Sequence, residues 1–251
     1  MTRLLTVATW NIFAGKVWDG SRVDLDLTLA VLRRLDADLV AVQEVDRDQA
    51  RSHGADQARL LGQALGMDWR YAPALLGTPG SSDGWRVPVP GDADPGGTAY
   101  GIALLSRLPL QEVETVLLPQ SGRDEPRVAL VAGLADGGRR LTVAGTHLSF
   151  VPGPNVGQLR ALQRHLDERG GPRLLLGDLN LWWPLVRLVS RPGWRPLVRG
   201  PTFRNRPPGS AVRMVQLDHV LAAGAGFRPL RTRIVSGPAS DHRAVVVELD
   251  W

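Results

Sequence analysis

The sequence predicts an α/β layered fold, with two β-sheets packed face to face and helices outside them. Three observations carry this. A strand–helix–strand pattern opens the chain, and such alternation belongs to layered α/β folds. Short apolar runs of strand character then recur to the C-terminus, with few helices among them. No internal repeat, low-complexity tract or linker divides the sequence. Residues 1–251 therefore read as one domain, of a size that α/β and sandwich domains commonly reach.

In order, Leu4 to Trp10 is apolar and β-branched and predicts a buried strand. Leu25, Leu29, Leu32 and Leu35 lie near helical spacing, which predicts a helix over 24–36 with Asp24 as N-cap. LVAVQE (39–44) predicts a second strand, and Ala55 to Leu65 a second helix. Residues 77 to 98, rich in Gly, Pro, Ser and Asp, read as a long surface loop. Strands follow at 100–106, 113–119, 127–134 and 140–148, with Gly137-Gly138 as the hairpin turn between the last two. Gly157 to Glu168 predicts a helix and RLLLGDLN (173–180) a strand. A Trp- and Pro-rich loop (182–208) precedes two last strands, 216–222 and 243–250.

Composition restricts the chemistry. There is no cysteine, so neither disulfides nor thiolate–metal sites are available. A metal would have to be held by oxygen or imidazole, which points to a hard cation. The formal net charge is +5, and Lys16 is the one lysine, so the positive charge is carried by arginine. Arginine forks suit phosphate oxygens, but a genome that prefers arginine codons produces the same balance. The N-terminal run lacks the layout of a signal peptide, and no apolar stretch is long enough for a membrane span. The expectation is a cytoplasmic monomer.

The chemistry-bearing residues sit at the ends of the predicted strands, where a rigid scaffold presents functional groups. Asn11 ends the first strand and Glu44 the second. A carboxylate after an apolar run needs a partner, and a divalent cation is one. His147 closes the strand ending in GTHLS. Strand alternation through GDLN predicts Asp178 and Asn180 on one face, an acceptor beside an amide, as is needed to position a water; G-D-x-N also reads as an Asx-turn. Asp218 and His219 lie inside an apolar strand. Ser240, Asp241 and His242 precede the last strand, where Asp and His can serve as metal ligand and acid–base group. Each position alone also fits a capped loop or a solvated strand end; their joint order does not.

The pieces TWNI (9–12), QE (43–44), YGIALLS (100–106), THLS (146–149), GDLN (177–180), LDHVL (217–221) and SDHRAV (240–245) resemble, in order, the endonuclease/exonuclease/phosphatase superfamily. That superfamily includes DNase I-like nucleases, AP endonucleases, sphingomyelinases and inositol-phosphate phosphatases. The resemblance implies a four-layered α/β sandwich and a Mg²⁺- or Mn²⁺-dependent phosphodiester hydrolase. It implies Asn11, Glu44 and Asp241 at the metal, and Asp178, helped by Asn180, orienting the attacking water. His242, held by Asp218, and His147 would face the scissile phosphate, with Arg127 nearby. His219 falls outside this catalytic set. The implied substrate is a phosphodiester, first of all a nucleic acid; a small-molecule or phospholipid diester is the alternative. Arg187, Arg191, Arg195, Arg199, Arg204, Arg206 and Arg213, with Trp182, Trp183 and Trp194, permit a nucleic acid partner, although packing beneath the loop after GDLN is the simpler reading of the tryptophans.

Overall fold

A computed structural model describes residues 4–80, 84–89, 96–120, 124–205 and 213–251. β1 (Leu4–Asn11) and β2 (Leu39–Arg47) run parallel, joined by α1 (Leu25–Leu35). Asp24 caps α1 as its sequence predicts, its carboxylate accepting the Leu27 N–H at 3.0 Å. Then come α2 (Gln57–Leu65), β3 (Asp68–Gly77), β4 (Trp85–Arg86), β5 (Ala99–Ser106), β6 (Gln111–Leu117), β7 (Val128–Asp136) and β8 (Arg139–His147). Gly137 and Gly138 both take positive φ in the β7–β8 turn, the conformation a tight hairpin requires. α3 (Pro154–Asp167) joins β8 to its parallel neighbour β9 (Arg173–Asp178). α4 (Trp183–Val189), β10 (Arg195–Pro196), β11 (Phe203–Asn205), β12 (Arg213–Val215), β13 (Asp218–Ala223), β14 (Arg228–Val235) and β15 (Ala244–Asp250) complete the chain.

The strands form two large mixed sheets, ordered β14-β15-β1-β2-β5-β3-β4 and β10-β13-β9-β8-β7-β6, and β11 pairs with β12. Alternation sorts the side chains into three apolar layers. Leu5, Val7, Leu39, Leu130, Leu174, Leu176, Val220 and Val245 fill the space between the sheets. Trp10, Val40, Val42 and Val246 pack outward against α1 and α2. Leu175, Leu179 and Leu221 pack outward against α3 and α4. The result is the four-layered, DNase I-like sandwich.

Several expectations need correction. The stretch 77–98 holds a short strand, β4, on β3; its residues 81–83 and 90–95 lie outside those described. The stretch 182–208 holds α4, β10 and β11. GDLN is not one strand: β9 ends at Asp178, and Asn180 turns to positive φ (50°). β3, β12 and β14 had no strand signal in the sequence. Among the described residues, no helix is long and apolar enough to cross a membrane.

Candidate active site

Each sheet contains one parallel β–α–β unit, and the carboxyl ends of its strands meet at one pole. Asn11 ends β1, His147 ends β8 and Asp178 ends β9, with His147 in register with Asp178. Asp218 opens β13 directly opposite Asp178. His242 precedes β15, which lies against β1. Glu44 arrives by another route. Plain alternation would turn it toward the helices with Val40 and Val42. The pairing of β2 with β5 instead slips between Gln43 and Val45, and Glu44 takes φ 56°. This bulge re-aims the carboxylate into the cleft.

The cleft has a volume of about 880 Å³, and Glu44, Tyr100, Arg127, His147, Asp178, Asn180, Asp241 and His242 line it. Asp178 is its centre. Its Oδ2 accepts from Asn11 Nδ2 at 3.1 Å and faces the Nε2 atoms of His147 at 3.5 Å and His242 at 3.7 Å. Its Oδ1 accepts the Asn180 N–H at 3.0 Å, closing an Asx-turn. The Asn180 amide donates to the Leu148 carbonyl at 3.0 Å, tying the turn to the end of β8. Asn11 also donates to Glu44 Oε1 at 2.9 Å, while its own Oδ1 accepts the Phe13 N–H at 3.0 Å. On His242, Nδ1 lies 2.8 Å from Asp218 Oδ2, and the ring lies tilted against Phe203 with centroids 4.7 Å apart. Ser240 secures this corner: its hydroxyl donates to the Asn11 carbonyl at 2.6 Å and accepts the His242 N–H at 3.0 Å.

Burial and charge set the protonation states. Burial and the neighbouring Asp218 push Asp178 up to about 6, against the pull of His242. Burial disfavours the charged form of His242, but Asp218 and Asp178 outweigh it and hold the imidazole at about 10. Burial, with Arg127 and His242 adding repulsion, drives His147 well below its ordinary value and leaves it neutral. Burial also raises Glu44 and Asp241.

The donors of the cleft differ in how well they suit a metal. Asp178, Asp218 and His242 place ligand-type atoms within 4.8 Å of one another. Their closest pair is a hydrogen bond, which makes this group a proton network rather than a cation cage. Glu44 and Asp241 suit a hard cation better. Both carboxylates line the cleft, both are raised by burial, and each gains from a nearby positive charge. Asn11 turns its amide nitrogen, a donor, toward Glu44 and Asp178.

Arg127 lines the cleft, nearly buried, with Glu125 at 3.3 Å. Tyr100 and Phe150 also line it, and the latter is 67% exposed; the sequence reading passed over both as site residues. Tyr100 sits in the quoted motif YGIALLS, so a signal was present. The tryptophans divide. Trp194 is buried and donates to Asp167 at 2.9 Å, Trp183 packs beneath Arg199, and Trp182 is 59% exposed. Arg191 pairs with Asp167 and Arg195 with the Phe227 carbonyl. Arg206 and the side chain of Arg213 lie outside the described residues.

Among curated proteins, none matches the chain by sequence. Solved structures do. An endonuclease/exonuclease/phosphatase from Beutenbergia cavernae DSM 12333 is 28% identical, with a TM-score of 0.75 over 99% of this chain and 72% of that one. The D. rerio TDP2 complexed with single strand DNA product is 17% identical, with a TM-score of 0.71 over 99% of each chain. The human Nocturnin catalytic domain with bound sulfate anion is 18% identical, with a TM-score of 0.69 over 99% of this chain and 97% of that one. The sequence profile of the endonuclease/exonuclease/phosphatase family matches residues 8–242, from within β1 to the histidine that closes the proton network. The chain belongs to the endonuclease/exonuclease/phosphatase family.

Proposed function

We propose that this chain hydrolyses phosphodiester bonds with a bound Mg²⁺ or Mn²⁺, and that a nucleic acid strand is its substrate. One observation carries the reading: three side chains from both sheets converge on Asp178 Oδ2 within 3.1–3.7 Å. The two imidazole distances exceed a hydrogen bond, so neither ring is tied to the carboxylate and both stay available to a substrate.

With its acidity near 6, Asp178 is ionised at neutral pH and still basic enough to take a proton. Asn11 and the Asn180 N–H fix its two oxygens, so the attacking water is held in one direction. The water adds to phosphorus as its proton passes to Asp178. His242, cationic and braced by Asp218, offers its Nε2 proton to the departing oxygen. His147 is neutral and contributes an N–H, not a charge. The products are a phosphomonoester and an alcohol. Glu44 and Asp241 would hold the cation, which when bound supplies charge neutralisation at the phosphoryl oxygens.

The exposed ring of Phe150 on the cleft supports a nucleic acid strand, because a base can stack on it. A second reading, a small phosphodiester, is favoured by Asp124 and Glu125, which share the lining and would repel a run of phosphates. The test is a panel assayed with Mg²⁺ and Mn²⁺: supercoiled DNA, abasic DNA, single-stranded RNA, a chromogenic phosphodiester and phospholipids. Cleavage of a nucleic acid, with binding that falls steeply with salt, is expected. Turnover of only the chromogenic diester or a phospholipid would select the second reading. Failure on every phosphodiester would reject both.

A further inference from the structure

His219 is fully buried beside Asp218 and takes no part in the chemistry above. Adjacent positions on a strand face opposite ways. Asp218 shares its face with Val220 and Ala222, between the sheets and toward His242. His219 shares its face with Leu221 and Ala223, toward α3 and α4. It therefore cannot touch a substrate in the cleft. Its ring nevertheless reaches the turn that carries Asp178 and Asn180. His219 Nε2 lies 2.7 Å from the Leu181 carbonyl, and Nδ1 lies 3.3 Å from Gln216 Nε2.

The partners fix the tautomer. A carbonyl only accepts and an amide nitrogen only donates, so Nε2 carries the proton and Nδ1 accepts. Protonating Nδ1 would set an N–H against an NH₂ group. Burial likewise disfavours the cation and lowers His219 to about 4. Gln216 is held in turn: its Oε1 accepts the Gly200 N–H at 2.9 Å, and its Nε2 also donates to the Val198 carbonyl at 3.2 Å. A buried relay thus runs from Gly200 through Gln216 and His219 to Leu181. Without His219, the hydrogen bond it supplies to this carbonyl is lost, in a layer of apolar side chains.

We propose that His219 is a positioning residue, whose Nε2–H bond to the Leu181 carbonyl, braced by Gln216, locks the turn that aims Asp178 and Asn180 at the substrate. The proposal rests on the reading that these two residues act on the substrate. The rest of the turn is anchored elsewhere, with Leu179 N–H on the Leu217 carbonyl at 2.9 Å and Asn155 on the Asn180 carbonyl at 3.0 Å. Among the described residues, the side-chain bond to the exit of the turn comes from His219.

The experiment compares His219→Phe, which keeps a planar ring without polar atoms, with His219→Gln, whose amide can donate to the same carbonyl. Gln216→Met, which removes the brace alone, is the third variant. Two readouts are taken on the purified full chain: steady-state hydrolysis of a chromogenic phosphodiester, and hydrogen exchange of the peptide spanning 178–182. His219→Phe is expected to lose about tenfold in kcat with KM changed less than about twofold, and to exchange faster across 178–182. His219→Gln is expected to recover most of both, and Gln216→Met to fall between. Unchanged exchange in His219→Phe would overturn the proposal. So would recovery in neither readout by His219→Gln, because a purely structural histidine needs no donor at that point. If His219→Phe does not fold, the comparison of His219→Gln and Gln216→Met with the parent decides: slowed turnover and faster exchange in Gln216→Met alone support the relay, and parental values in both variants refute it. Exchange does not depend on turnover, so an inactive parent protein would reject the hydrolase reading and leave this test standing.

Discussion

At the scale of single residues, the proposed site holds neighbouring acidities apart. Asp178 and His242 face each other at 3.7 Å, one pushed up to about 6 and the other held at about 10. A base that must be ionised and an acid that must be protonated give a bell-shaped rate. Turnover is expected to rise through about pH 6 and fall as the pH approaches about 10, a shape that a pH–rate series measures. Asp218→Asn removes the charge that holds up His242 and helps to push up Asp178, so the alkaline and acid limbs should both move to lower pH. The same pair sets a stability term. The folded value of His242 lies above its ordinary 6.5, so its contribution is complete below pH 6.5 and is lost as the pH rises through about 10. Thermal melts of the parent and Asp218→Asn should converge at the alkaline end and separate below it. These roles were legible only as a set of residue types. The Asp178, His147 and His242 motifs stand in the sequence, but nothing there shows that His147 is neutral and His242 charged, because burial and neighbours decide it.

At the scale of elements, local signals were readable and tertiary ones were not. α1 was predicted with its Asp24 cap because its leucine spacing and cap are written within one helix. Asp24→Ala should cost about 1 kcal/mol in a denaturant melt and leave turnover unchanged. β14 gave no signal because it is an edge strand, rich in arginine with Pro229 near its start, and nowhere fully buried. β3 was obscured by Pro73, which sits at a bulge against β5. The bulge that aims Glu44 was likewise invisible, since it arises where β2 meets β5. Glycines mark where strands approach most closely. A Cβ on Gly177 would stand 2.0 Å from the Thr146 carbonyl oxygen, one residue from both His147 and Asp178. Gly177→Ala must force β8 and β9 apart. It should lose about 1–3 kcal/mol of stability and most of the turnover together, as paired melts and assays would show. A stable variant with parental turnover would mean that the β8–β9 spacing does not set the site.

At the scale of the whole molecule, two sheets each contribute half of one site. Asn11 and Glu44 come from the first sheet, His147, Asp178 and Asp218 from the second, and His242 from the segment entering β15. The layer between them, from Leu5 to Val245, holds the halves in register, so the site exists only in the folded sandwich. The proposed cation would sit at the same seam. Glu44 and Asp241 are both raised by burial, and a bound divalent ion should raise the melting temperature of the parent chain more than that of Glu44→Ala. The most direct measurement of the whole account is turnover of a chromogenic phosphodiester by the parent chain and by Asp178→Asn, with Mg²⁺ or Mn²⁺ present and then chelated. The parent is expected to be active only with the metal, and Asp178→Asn to be slower by about 10²–10⁴-fold while melting at a similar temperature. Metal-independent turnover, or near-parental turnover in folded Asp178→Asn, would contradict it.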